Sequence, residues 1–310
     1  MMIRYIVKRI LLIIPLMLLA SFVAFGLMNL SDQDPAVAAL VANGNPSPSK
    51  ALVEQTREEL GLNAPFLTRY VRWLNDAVHL DFGVSYIHKK PVSELMIPSF
   101  VNTLKLTGVT ALVTLLLSVV IGTLCAIFQN RFFDRFMRSL MFILSSMPSY
   151  WIAVLLMYLL AYKFRLLPTS GKVGWECYVL PVTSMALGYV AFYFRTVRNS
   201  VIDNKSRNYV LYENACGLKK TVVYKHVLLN SMQTTVAGLS MTIPGMLGGA
   251  VVIENIFAWP GIGRLCVNAI IGHDLPVVQA YILFLAVTFI GFNLFGDIIN
   301  ALMNPRLRGT

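Results

Sequence analysis

Four histidines and four cysteines are the side chains of this chain best suited to metal or nucleophilic chemistry, and their spacing supports neither. His79, His88, His226 and His273 form no HExxH pair. Cys125, Cys177, Cys216 and Cys266 are isolated, with no CxxC spacing. Only Cys177 and Cys266 could lie near one face of a membrane together. No nucleophile comes with a base. No GxxxxGK[ST] phosphate loop is present, and Gly217-Leu-Lys-Lys-Thr only imitates the end of one. Any energy-driven work must therefore draw on another chain. The fourteen methionines either line a path for a soft metal or fill apolar packing. Glu254 and Asp297 stand at the ends of apolar runs, where each meets the membrane interface or faces a path.

One polar stretch stands out: Arg207-Asn-Tyr-Val-Leu-Tyr-Glu-Asn-Ala-Cys-Gly-Leu-Lys-Lys-Thr, continuing to His226-Val-Leu-Leu-Asn230. Leu211, Ala215, Leu218 and Val222 recur at helical spacing, with Asn208, Glu213 and Asn214 on the polar side. Gly217 falls where a short helix would turn, because glycine accepts positive φ at a helix C-terminus. The stretch reads as a small knob, either a plain surface helix or a plug for a socket in another protein.

The elements that carry this knob are membrane helices. The 310 residues are 56% hydrophobic and 13% charged, and continuous apolar runs of this kind exclude a β-barrel. Six runs are long enough to span about 30 Å of hydrocarbon: Ile10–Leu30, Leu106–Phe128, Ser139–Tyr162, Cys177–Phe194, Val227–Ile253 and Leu275–Gly296. Lipid offers the backbone no partners, so each is expected to be helical. Lys and Arg crowd the loops on the N-terminal side (Arg4, Lys8, Arg9, Arg131, Arg135, Arg138, Arg195, Arg198, Lys205, Arg207, Lys219, Lys220, Lys225, Arg306, Arg308). The short opposite loops hold Lys163, Arg165, Lys172 and Arg264. Both termini are therefore expected in the cytoplasm. The net charge of +11 reflects this bias, and its dispersal argues against nucleic-acid binding.

The first run exceeds a signal-peptide core of about 7–15 residues, so it is expected to be retained despite Ala36-Val37-Ala38. Residues 31–101 form a polar outer segment. Ser49 would cap one helix stopped by Gly61, and Pro65 would open a second with Phe66, Tyr70, Trp73, Leu74 and Ala77 on its apolar face. Such helices must lie on the bilayer, on the bundle or on a docking protein. In the fifth run, Pro244 precedes Gly245, Gly248 and Gly249. The GxxxG spacing either packs the bundle or marks a path-lining helix at a subunit interface. No internal repeat with interrupted helices suggests an ion-coupled transporter.

The polar stretch resembles the conserved cytoplasmic loop of permease subunits in binding-protein-dependent ABC importers, within the dipeptide, oligopeptide and nickel permease family. The match runs through Arg207-Asn-Tyr-Val, Ala215-Cys-Gly217-Leu218 and His226-Val-Leu-Leu-Asn230. It extends to Leu60-Gly-Leu-Asn-Ala-Pro, Leu80-Asp-Phe-Gly-Val-Ser, Met147-Pro-Ser-Tyr-Trp, Glu254-Asn-Ile-Phe-Ala-Trp-Pro-Gly-Ile-Gly263 and Asn304-Pro-Arg306. Departures fall at Tyr212, Glu213 and Asn214, at Leu229, where Arg is usual, and at Thr234, where Pro is usual.

The resemblance implies an all-α integral membrane protein with six transmembrane helices and the type I ABC importer transmembrane fold. Residues 1–100 would hold the first span and an extracytoplasmic helical segment. Residues 101–310 would form a five-helix core with a coupling loop over about 203–226. Asn208, Tyr209, Glu213, Ala215, Gly217, Leu218, His226 and Asn230 would meet the ATPase. Pro244, Gly245, Gly248, Gly249 and Glu254 would line the path or a subunit interface. The partners implied are a second permease, two ATPase subunits carrying ATP and magnesium, an extracytoplasmic binding protein and membrane lipid, with no cofactor or metal site in this chain. Asn255-Ile-Phe-Ala-Trp-Pro-Gly-Ile-Gly-Arg264 and His273-Asp-Leu-Pro-Val-Val-Gln279 look closer to permeases for nickel and metal chelates than to those for di- or oligopeptides.

Overall fold

The computed structural model of the chain describes residues 14–23, 25–26, 34–171 and 174–303. Arg4, Lys8, Arg9, both ends of the first apolar run, Lys172, Asn304-Pro-Arg306 and Arg308 lie outside the described residues. The described elements are helices: α1 (Ile14–Val23), α2 (Pro35–Ala42), α3 (Lys50–Glu59), α4 (Phe66–Val78), α5 (Val92–Ile127), α6 (Phe132–Ser146) and α7 (Ser149–Leu156). A π-helical turn over Met157–Lys163 continues α7. There follow α8 (Glu176–Lys205), α9 (Asn208–Ala215), α10 (Lys220–Ile256), α11 (Ile262–Ile271) and α12 (Leu275–Met303).

Among the described residues, α5, α8, α10 and α12 are each long and apolar enough to cross a membrane. The third apolar run is not one straight span. It breaks into α6 and α7, which meet at 103°. Pro148 is the cause. A residue before proline is pushed out of the helical region, and Met147 sits extended at ψ 132°. The expected six spans thus resolve into four long helices, one bent pair and a first helix described only in part.

Backbone contacts divide the chain into two compact units. One comprises residues 1–103 and 260–291, the other 104–259 and 292–310. In the first, the Ser49 hydroxyl accepts from Leu52 N at 3.3 Å and starts α3. Gly61, at φ +63°, ends that turn. Asp34 caps α2 through Ala36 N and pairs with Arg57 at 2.8 Å. The outer helix α4 lies on α1. Phe66 and Tyr70 meet Phe22 edge-on, Trp73 packs on Phe25, and the Tyr70 hydroxyl bonds Ser21 Oγ at 2.8 Å. Ala36 and Ala38, in the cleavage-like triplet, are buried. Two sequence motifs also converge here. Ser85 Oγ and Tyr86 N donate to the buried Asp274 carboxylate, which fastens the Leu80–Ser85 segment to the start of α12.

The second unit is organised on α8, which packs against α6, α7 and α10. A close helix approach falls at Gly122 of α5, where an added Cβ would stand 2.7 Å from the Phe194 carbonyl. Gly296 of α12 likewise approaches the Ser240 backbone of α10. On the arginine-rich side the wholly buried Asp134 takes a two-pronged bond from Arg198, at 2.7 and 2.8 Å, and a third from Asn130 N. Such a fork fixes geometry as well as charge, so α6 and α8 are pinned close to the start of the polar loop.

Candidate functional site

The loop between α8 and α10 is ordered by its own chemistry. Arg207 is extended at ψ 150° and starts α9. After eight residues the chain reverses at Gly217, where φ is +76°. The Gly217 and Leu218 amides donate back to the Asn214 and Glu213 carbonyls at 3.1 and 3.2 Å. This closes the helix end as a left-handed cap does. Lys219, extended at ψ 136°, launches α10.

Two contacts hold the knob down. Val210 is buried among Val197, Val201, Val223 and Val227. Glu213 Oε1 lies 2.7 Å from His226 Nδ1 and ties α9 to the second turn of α10. Glu213 is one of the residues at which the sequence departs from the family pattern, and its role here is a local clasp. Tyr209 adds a bond to Asn204 at 3.4 Å.

The stripe of Leu211, Ala215, Leu218 and Val222 points largely away from the protein. Leu211 is 66% exposed, Ala215 and Leu218 are exposed, and Val222 is partly buried. Val210 takes the inward position, and the stripe, with Tyr212 at 72% exposure, points away. Asn208, Gly217 and Asn230 are exposed as well. This leaves an apolar cluster standing out on a short, clasped helix.

The path residues divide differently. Pro244 is buried within α10. Gly245 and Gly248 are exposed, and a Cβ added at either would meet nothing within 4 Å. One at Gly249 would only reach the Tyr189 hydroxyl at 3.9 Å. Among the described residues, the GxxxG pair therefore makes no close helix contact. Close contacts fall instead at Gly122 and Gly296, which carry no spacing signal, and at Gly238 against Tyr193. Glu254 is wholly buried. It begins the segment that closes α10, where Trp259 N donates to the Glu254 carbonyl at 2.8 Å and the Trp259 ring meets Tyr178 edge-on.

Sequence reading missed a seam of hydroxyls along α5. Thr107, Thr110, Thr114 and Ser118 are all buried, and the Thr107, Thr114 and Ser118 hydroxyls have no hydrogen-bond partner among the described residues. Their three- and four-residue spacing was the available signal. No three His, Cys, Asp or Glu side chains converge on a metal-sized site among the described residues.

Two family models cover nearly the whole chain. Residues 118–309 match the binding-protein-dependent transport system inner membrane component, and residues 2–107 match the N-terminal region of such components. The chain is 46% identical over 307 residues to the metal-staphylopine import system permease protein CntB of Staphylococcus aureus (strain NCTC 8325 / PS 47), covering 99% of each. It is 33% identical over 308 residues to the glutathione transport system permease protein GsiC of Salmonella paratyphi A (strain ATCC 9150 / SARB42), again covering 99% of each.

Proposed function

The chain belongs to the family of binding-protein-dependent transport system inner membrane components, and we propose that it is the permease of an importer whose cargo is a metal chelate. It is a multi-pass protein of the bacterial inner membrane and a transport subunit of a multi-part ABC import system. The observation that carries the cargo class is the full-length 46% identity to a permease named for metal-staphylopine import. The 33% identity to a glutathione permease supports a second reading, small peptides, at greater distance.

The geometry of the loop and of α10 supports this assignment of working parts. The exposed face of α9 seats in a groove of an ATPase subunit, one for this chain and one for a second, related permease. ATP and magnesium are held by those ATPase subunits. Closure of the ATPase pair shifts α9, and the Val210 cluster and the Glu213–His226 clasp pass the movement to α8 and α10. Two rigid arrangements, open outward and open inward, then alternate. The open glycine face of α10, at Gly245, Gly248 and Gly249, meets the second permease or the path. Both termini lie in the cytoplasm, and residues 31–101 face the binding protein.

ATPase stimulation of the reconstituted complex tests the cargo class. The binding protein loaded with a nickel or zinc chelate is expected to raise ATP hydrolysis, and the same protein offered dipeptides is not. Stimulation by dipeptides alone would replace the first reading with the second.

A further inference from the structure

The unit formed by residues 1–103 and 260–291 contains a cavity of about 360 Å³, within the range of about 300–1,000 Å³ usual for small-ligand clefts. One face of α4 supplies much of its wall: Arg69, Arg72, Trp73 and Asp76 stand at positions i, i+3, i+4 and i+7, so they share a side of the helix. Asp81 and Tyr86, from the segment fastened to Asp274, supply more.

Two arginines and two carboxylates thus line one small space, yet no ion pair joins them among the described residues. The ion pairs described lie elsewhere, at Asp34, Asp134 and Glu213. The Arg69 Nε is shut off from solvent and has no hydrogen-bond partner among the described residues. A buried guanidinium donor left unmet is costly, and a carboxylate oxygen answers it with geometry to match. Asp81 is already used in part, since its Oδ1 accepts from Gly83 N at 2.9 Å. Burial, with the Asp274 carboxylate adding to it, pushes the Tyr86 phenol up to about 12. It therefore remains a neutral hydroxyl at physiological pH. Trp73 gives the cavity a flat apolar side.

We propose that this cavity is a binding site for a small ligand that carries carboxylates beside a cationic centre, with Arg69 and Arg72 taking the carboxylates and Asp76 and Asp81 facing the cation. A chelated divalent metal ion and a peptide ammonium share that chemistry. The inference deepens the import reading and rests on the orientation proposed above, which puts the cavity on the side where cargo arrives.

Calorimetric titration of the untagged, full permease–ATPase complex in lipid nanodiscs, without binding protein, separates the cases. The probes are the nickel complex of iminodiacetate and the metal-free dipeptide dialanine. At least one is expected to bind once per copy of this chain. Arg69→Gln and Asp76→Asn are each expected to weaken binding about tenfold or more, as loss of a charge-assisted contact does, whereas Lys50→Gln, outside the cavity, leaves it unchanged. Asp76 is exposed, so its exchange keeps the test available should Arg69→Gln fail to assemble. Binding of the nickel complex supports both the site and the metal-chelate reading. Binding of dialanine alone supports the site and counts against that reading. Binding of neither probe, or equal binding by all four proteins, overturns the site.

Discussion

Gly217 holds φ at +76° with open space where a side chain would begin. The constraint is therefore on the backbone alone. For an L-residue a left-handed conformation costs roughly 1–2 kcal/mol, and a β-branched residue resists it further. Gly217→Val is expected to leave the membrane helices assembled while cutting transport and loosening ATPase binding, read by co-purification of the ATPase subunits and by uptake. Normal uptake with normal ATPase binding would show that the turn does not set the knob. This residue was legible in the sequence because positive φ has a nearly unique residue requirement. The facing of its neighbours was not. An eight-residue helix gives only two turns of pattern, and Val210 and Leu211 are adjacent apolar residues, so spacing alone does not choose which one is buried.

At the scale of elements, two kinds of glycine separate. Gly122 sits where α5 meets the α8 backbone, whereas a Cβ added at Gly245 of α10 would meet nothing within 4 Å among the described residues. Overpacking a closed contact costs about 1–3 kcal/mol. Gly122→Leu is expected to lower the thermal midpoint of the purified complex. Gly245→Leu is expected to leave the fold of this chain intact and to weaken its pairing with the second permease or block uptake. A fall in thermal midpoint of equal size in both variants would put Gly245 in a packed interior and contradict the division. The sequence pointed to Gly245 and Gly249 because GxxxG is a recognisable spacing, while single glycines such as Gly122 carry no pattern. The break at Met147-Pro148 escaped for a related reason. The apolar run around it contains no charge, and hydropathy alone does not register a proline.

At the scale of the whole molecule, the charge bias of the loops predicts an orientation with both termini in the cytoplasm. Cys216 lies exposed beside the knob, while Cys125 and Cys266 are buried. In intact cells carrying Asn45→Cys and Cys177→Ser, an impermeant maleimide is expected to label position 45 and to reach Cys216 only after the membrane is opened. Labelling of Cys216 from outside would invert the topology. Helical class, family and the turn at Gly217 were legible because apolar runs and local motifs record them directly. The cargo was only tilted by motif resemblance, since no group of metal ligands gathers among the described residues. The most direct measurement is uptake of radioactive nickel, as a chelate, into proteoliposomes holding this permease, its partner permease and both ATPase subunits, with binding protein outside and ATP inside. Accumulation that requires ATP and the binding protein, and that excess unlabelled chelate suppresses but dipeptide does not, is the expected result. Accumulation of dipeptide with no accumulation of chelate would contradict it.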